Sequence, residues 1–203
     1  MITAGLVILF DAGVTVAWGE PISAIRAALA QDEAEAELDR LESRVASRGA
    51  AGPAGQRDAA SLRKVQRLTS RGDALGRIRI SSIDVEKVVV LGTDTESLRS
   101  GPGFYPRTSL PGEQGTVAIA GHRTTYGAPF RQIDELGAGD EIVVEMPYGS
   151  FTYRFERSRI VEPGQTGVVR DVGHKRLVLI ACHPLYSASQ RYVVFARLVE
   201  GGP

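Results

Sequence analysis

Residues 176–200 read RLVLIACHPLYSASQRYVVFARLVE, two apolar segments separated by a short polar one. Both segments are rich in β-branched and aromatic residues, which favour strands. The turn region between them, Pro-Leu-Tyr-Ser-Ala-Ser, has a length that predicts an antiparallel hairpin with a long loop. Arg191 follows Cys182 by nine residues. We therefore expect these two residues side by side on neighbouring strands.

Five further segments upstream have a similar strand-like composition. They are LGRIRISSID (75–84), VEKVVVLG (85–92), GTVAIAGHR (115–123), DEIVVEMPYG (140–149) and SFTYRFERSRIVEP (150–163). Seven or eight short strands within about 125 residues predict a closed or nearly closed β-barrel. Only two short helices are predicted beside them, at 95–101 and 128–136. The sequence thus predicts a mostly β domain over residues 73–203.

Residues 1–18 form an apolar run that is interrupted by Asp11 and two glycines. Its length nearly suffices to span a bilayer, so the interpretation that we prefer is a membrane anchor at residues 1–19. No Lys or Arg precedes the run, and Asp11 lies near its centre. A cleaved signal peptide and an ordinary buried helix are the alternatives.

Residues 20–72 have helical periodicity and are predicted to form a stalk and linker. Ile22, Ile25 and Leu29 recur at offsets of three and four. The middle of this region is acidic, whereas the segment after the breaker GAAGPAG at 49–55 is basic. The two halves could pair as a hairpin, but two solvated helices are the preferred prediction because charge runs usually face water.

Composition limits the classes of function. The 203 residues include 24 basic and 24 acidic side chains, and this balance gives no indication of a nucleic-acid partner. A single cysteine excludes an intramolecular disulfide and a thiolate metal cluster. Cys182 is therefore either a small buried hydrophobe or a reactive thiol.

Three residues at strand ends are candidates for chemistry. Cys182 ends one apolar strand and His122 ends another, and cysteine catalysis requires an imidazole near the thiol. Arg191 stays protonated, so its possible roles are to hold a substrate carbonyl and to stabilise negative charge. His174 is predicted to face solvent, and His183 is expected on the face opposite to Cys182. Taken singly, each candidate is more often a core or surface residue without catalytic function.

Three motifs in a fixed order resemble one family. AGHRTTYGAPF (120–130), LIACHP (179–184) and QRYVVFARL (190–198) are similar to motifs of the sortases of Gram-positive bacteria. The likeness runs from about Leu75 to the C-terminus and is closest to the class E sortases of actinobacteria. It implies the eight-stranded sortase-type β-barrel, preceded by an N-terminal helical anchor and stalk. It also implies catalytic roles for His122, Cys182 and Arg191.

The resemblance implies transpeptidation. Cys182 would cleave the Thr–Gly bond of a C-terminal sorting signal, LPxTG or LAxTG, through a thioacyl-enzyme, with His122 moving the protons. The expected partners are surface proteins that carry such a signal, and an amine of a cell-wall precursor or a pilin. The catalytic domain is expected at the extracellular face of the cell membrane. No metal and no cofactor are expected, since no dense acidic loop is present.

The cysteine strand departs from the pattern of the family. Sortases usually have Thr-Leu-x-Thr-Cys here, whereas this chain has Val178 and Ala181 in place of the two threonines. These two positions and Tyr126 are the predicted substrate-binding residues. Two other functions stay open at this point: a Cys-His peptidase that releases acyl groups to water, and a membrane-tethered, non-catalytic β-barrel that binds a ligand.

Overall fold

The computed structural model describes residues 21–46 and 54–202, and its main element is a closed barrel of eight strands. The strands are β1 (Ala74–Ile80), β2 (Val85–Leu91), β3 (Gly103–Phe104), β4 (Thr116–Ala120), β5 (Glu141–Met146), β6 (Gly149–Val161), β7 (Arg176–His183) and β8 (Gln190–Gly202). Around the barrel they follow the order β1-β2-β3-β4-β7-β8-β6-β5. This arrangement confirms the prediction of a mostly β, closed barrel.

Helices are few and short in the barrel domain. Two precede it and one follows β2: α1 (Pro21–Ala46), α2 (Ala54–Leu68) and α3 (Thr95–Ser100). The prediction of a helix at 95–101 is confirmed by α3. The prediction of a helix over 128–136 is wrong, because only a 3-10 turn forms there, at Ile133–Glu135. Phe130 and Ile133 are fully buried, so the apolar periodicity reflects a loop that packs into the core.

Two apolar clusters lie on opposite faces of β7. The larger one takes residues from all eight strands, fills the barrel and includes Leu177, Leu179 and Ala181. The smaller one contains Val178 and Ile180, together with residues of β4 and β8, and is covered by the 3-10 helix Thr166–Val169. Alternation along a strand explains this division. Cys182 lies on the same face as the smaller cluster, because it is the next alternate residue of β7 after Val178 and Ile180.

Helix α1 packs against the barrel. Leu38 is fully buried in the main cluster, and Ala34, Leu41 and Val45 are nearly so. The amide of Gln31 completes this contact: its Nε2 donates to the carbonyls of Ser100 (2.7 Å) and Val88 (3.2 Å), and its Oε1 accepts from the amide of Val88 (2.9 Å). The polar groups at this seam are therefore paired.

The preferred prediction of two solvated stalk helices is thus wrong. Val65 of α2 is fully buried, and Lys64 of α2 donates to the carbonyls of Arg44 and Val45, so the two helices do contact each other. The acidic side chains of α1 that bind the barrel do so at β1: Glu35 forms an ion pair with Arg77, and Glu37 accepts from the amide of Ala74 at 3.1 Å. Part of the acidic charge of α1 is therefore paired with the barrel, whereas the hairpin alternative would pair it with the basic residues of α2.

The predicted anchor at residues 1–19 lies outside the described residues. Within 21–46 and 54–202, no helix is long and apolar enough to cross a membrane.

Replacing Gln31 with leucine is expected to lower the free energy of unfolding by about 1–3 kcal/mol, because partly buried backbone groups of Val88 and Ser100 lose their partner. Urea denaturation measures this change. Gln132→Leu is the control, since its amide donates only to the exposed Glu135 in the described contacts. An equal loss in both variants would mean that α1 does not rest on the barrel through Gln31.

Candidate active site

The ends of β4 and β7 bring His122 and Cys182 to one edge of the barrel. The two strands are parallel, with Ala120 beside Ile180 at the end of the ladder. The amide of Gly121 extends this ladder by donating to the carbonyl of Ile180 at 3.0 Å. His122 and Cys182 each lie two residues beyond this pair. Cys182 is still within β7 and continues its alternation on the face of the smaller cluster, whereas His122 begins the loop that follows β4 at the same edge.

Arg191 lies directly opposite Cys182 in the antiparallel pair β7–β8. This is the neighbouring-strand placement that the spacing predicts. Paired residues share a face of the sheet, so the thiol and the guanidinium lie on one side. Nη1 of Arg191 donates to the carbonyls of Gln190 (2.8 Å) and Ala188 (2.9 Å), which orients the guanidinium. Cys182 is a free, half-buried thiol.

His122 is held in a tightly closed loop. Its carbonyl accepts from the amide of Phe130 at 3.0 Å. Gly121 is required beside it, because a Cβ at this position would lie 2.6 Å from the buried ring of Phe130. The Nε2 atom of His122 is buried and has no hydrogen-bond partner among the described residues. A buried ring nitrogen without a partner is unusual, and such groups often have a catalytic role.

The surroundings of His122 favour its neutral form. Burial lowers the pKa of the imidazole, and the positive charge of Arg99 lowers this pKa further. The ring of Tyr126 is near both residues, with its centre 5.0 Å from that of the His122 ring and 5.9 Å from the Arg99 Cζ. A neutral imidazole at neutral pH can accept the proton of a thiol.

Replacing Arg99 with methionine is expected to raise the pKa of His122, because a positive charge that disfavours the imidazolium is removed. NMR titration of the imidazole protons measures this pKa. Arg154→Met is the control, since Arg154 pairs with Glu141 on the β5–β6 hairpin. An unchanged or lower pKa in Arg99→Met would contradict this electrostatic account.

A cleft of about 70 Å³ lies beside Arg191 on the same face. Tyr105 forms part of its wall, and burial raises the pKa of this phenol while the charge of Arg191 opposes the rise. The rest of the wall comes from β7, β8, the end of β6 and the β6–β7 connection: Ile180, Val193, Val161, Glu162, Pro163, Gln165, Thr166, Val168 and Val169. The lining is mainly apolar with a cation at one end, and the cleft is much smaller than the roughly 300–1,000 Å³ of typical ligand pockets.

The three predicted substrate-binding residues differ in their exposure. Tyr126 is half-buried and contacts His122, with a left-handed backbone (φ 51°). Val178 is fully buried and Ala181 is 2% exposed. Ala181 packs into the barrel, on the face opposite to Cys182. Substrate binding by these two residues stays a prediction, and their burial favours a packing role.

The remaining histidines do not join the site. His183 faces away from the catalytic side and contacts Arg123, as the alternation predicts. His174 belongs to the turn before β7, and its Nε2 is buried, whereas we predicted a solvent-facing side chain. The sequence did not identify Arg123 as a functional residue, yet the structure buries it to 3% exposure. The only feature of the sequence that could have indicated a role is its position directly after His122. In the described part of the chain, no group of three or more His, Cys, Asp or Glu side chains could hold a metal ion.

Known proteins match this chain in sequence and in fold. The family model of the sortase domain matches residues 78–199. Sortase SrtE2 of Streptomyces coelicolor is 32% identical over 98% of this chain and 79% of that protein. Sortase D of Bacillus subtilis is 33% identical over 63% of this chain, and the match spans less than two thirds (65%) of that protein. The solved sortase E of Streptomyces avermitilis has a TM-score of 0.61 and 31% identity, covering 66% of this chain and 93% of that one.

Proposed function

Since the chain belongs to the sortase family, we propose that it is a cysteine transpeptidase with Cys182 as its nucleophile. The observation that carries the proposal is the shared face of the site. Cys182 is paired with Arg191, and the parallel β4–β7 ladder ends at the same edge as the loop of His122. A thiol, an imidazole and a guanidinium together supply a nucleophile, a proton carrier and a permanent cation.

Acylation begins when the thiol of Cys182 transfers its proton to His122. The sulfur then attacks the carbonyl carbon of the threonine in a sorting signal, and the carbonyl electrons move to the oxygen. Arg191 stabilises the resulting oxyanion. Collapse of this intermediate breaks the Thr–Gly C–N bond, and the imidazolium of His122 protonates the departing glycine amine. The product is a thioester on Cys182.

Transfer reverses these proton movements. His122 takes a proton from an incoming amine, whose nitrogen attacks the thioester carbonyl. The new amide forms as the sulfur of Cys182 departs and regains a proton. The amine belongs to a cell-wall precursor or to a lysine of a pilin, and the acyl group belongs to a surface protein.

The sorting signal that we propose is LPxTG or LAxTG. Tyr126 is the substrate-binding candidate that best fits this role, since its ring contacts His122 and is partly accessible. We place the catalytic domain at the extracellular face of the cell membrane, with residues 1–19 as the anchor. Fractionation tests this location: the anchored protein requires detergent for release, and release by high salt alone would exclude the anchor.

Product analysis separates transpeptidation from hydrolysis. The protein is incubated with LPxTG and LAxTG peptides, with and without excess triglycine, and the products are identified by mass spectrometry. We expect the triglycine adduct at the threonine carbonyl, and none with Cys182→Ala. Free acid as the sole product in both conditions would identify a peptidase instead.

A further inference from the structure

Arg123 and His183 lie behind the catalytic face and are each adjacent to a catalytic residue. Arg123 directly follows His122, and His183 directly follows Cys182. Alternation along β7 turns the side chain of His183 to the face opposite to the thiol, and the side chain of Arg123 reaches the same face. There they meet, with Nη1 of Arg123 at 3.1 Å from Nδ1 of His183. This contact joins the two catalytic segments beyond the point where the β4–β7 ladder ends at Ala120 and Ile180.

The guanidinium of Arg123 has partners on several sides. Its side chain is only 2% exposed, and it forms an ion pair with Asp134. Its Nε donates to the carbonyl of Arg131 at 3.2 Å, and its Cζ lies 5.8 Å from the centre of the Tyr192 ring. A buried cation requires such partners, because it has lost its hydration. The position of Arg123 is therefore tightly determined.

His183 contacts two residues, Arg123 and Tyr192. A guanidinium only donates hydrogen bonds, so Nδ1 of His183 is the acceptor in this contact. The His183 ring lies 5.9 Å from the ring of Tyr192, whose hydroxyl is hydrogen-bonded to Ser158 Oγ at 2.8 Å. The contact to Arg123 is thus directional and depends on an acceptor at the Nδ1 position.

We propose that Arg123 and His183 are positioning residues that set the distance between His122 and Cys182 through their contact. This inference rests on the proposed function, in which those two residues exchange a proton. We call Arg123, Asp134, His183 and Tyr192 the rear cluster. Proton transfer between a thiol and an imidazole requires hydrogen-bond distance, and a displacement of 1 Å can lower a rate by about 10²-fold. The rear cluster provides this precision without contact with substrate.

The test compares three substitutions of His183. Asparagine places an acceptor near the position of Nδ1, glutamine places its amide near Nε2, and leucine removes both. We expect His183→Leu and His183→Gln to lower kcat of acyl transfer by about 10- to 100-fold with little change in KM, and His183→Asn to recover most of the rate. Arg123→Met should resemble His183→Leu, and the double variant should be no worse than either single one.

The matched control is Arg154→Met, which breaks an arginine–carboxylate pair on the β5–β6 hairpin. It should leave kcat unchanged. Circular dichroism confirms that each variant is folded at the assay temperature. If His183→Leu does not fold, the comparison of asparagine with glutamine decides. Wild-type kcat in His183→Gln, or equal losses in the asparagine and glutamine variants, would overturn the inference.

A second readout does not depend on turnover. The rate at which iodoacetamide alkylates Cys182 reports whether an imidazole lies beside the thiol. We expect His183→Leu and His183→Gln to shift this rate from the wild-type value towards that of His122→Ala, and His183→Asn to retain the wild-type value. Equal alkylation rates in all His183 variants would refute the positioning role. A wild-type protein that transfers no peptide but shows these alkylation differences would refute only the proposed function.

Discussion

Replacing Cys182 with alanine is expected to lower the rate of sorting-signal cleavage by at least about 10³-fold, because the variant has no thiol that could form the thioacyl-enzyme. The chain has no second cysteine. The side chain is half-buried at the end of β7, so its loss should change the melting temperature little. Cleavage of a fluorogenic LPxTG or LAxTG peptide measures the rate, and thermal unfolding verifies the fold.

Ser189→Ala is a control for this substitution. Ser189 lies in the loop that joins β7 to β8 and is exposed, and its hydroxyl contacts only Ser187 and the carbonyl of His183 in the described interactions. Its loss should leave the rate close to that of the wild type. If Cys182→Ala retained more than about a tenth of the wild-type rate, Cys182 would not be the nucleophile.

Replacing Arg191 with alanine is expected to lower kcat by about 10²–10³-fold, the usual effect of removing an oxyanion donor. Arg191→Lys retains the charge but not the fork of N–H groups, so an intermediate rate is expected. His122→Ala should be about as damaging, because residues that act as a unit fail together. Steady-state kinetics on the same peptides measures these effects.

Arg197→Ala is the control for Arg191 on the same strand. Its guanidinium pairs with Glu156 at 2.6 Å and is half exposed, so its loss should leave kcat unchanged. Full activity in Arg191→Ala or in His122→Ala would show that the residues on the shared face are not the catalytic set.

The sequence predicted the barrel because most strands have a strong local signal. The segments that contain β1, β2 and β4 to β8 are rich in β-branched and aromatic residues or alternate in polarity. Strand β3 has only two residues, Gly103 and Phe104. It forms because it pairs with β2 at Val90 on one side and with β4 at Ala120 on the other. Such a strand is determined by tertiary contacts and has no periodicity to detect.

The placement of α1 could not be predicted from local patterns. Its acidic residues are typical of a solvated helix, yet Glu35 and Glu37 face β1. The pairing of Gln31 with Val88 and Ser100 spans 57 and 69 residues of sequence. These contacts depend on the complementarity of surfaces that are distant in sequence.

The catalytic candidates were accessible to sequence analysis, whereas the rear cluster was not. His122, Cys182 and Arg191 stand at strand ends within recognisable motifs, and alternation gives their faces. Arg123 resembles a surface arginine in the sequence. Its burial depends on Asp134 and His183, which come from other segments of the chain.

The most direct test of Cys182 as the nucleophile is intact-protein mass spectrometry after brief incubation with LPxTG and LAxTG peptides. We expect an added mass equal to the acyl fragment that ends in threonine, attached to Cys182 as a thioester and released by triglycine. It should be absent from Cys182→Ala. If no adduct formed across the peptide panel while the peptides still bound, the protein would be a non-catalytic binding module, and the central claim would be contradicted.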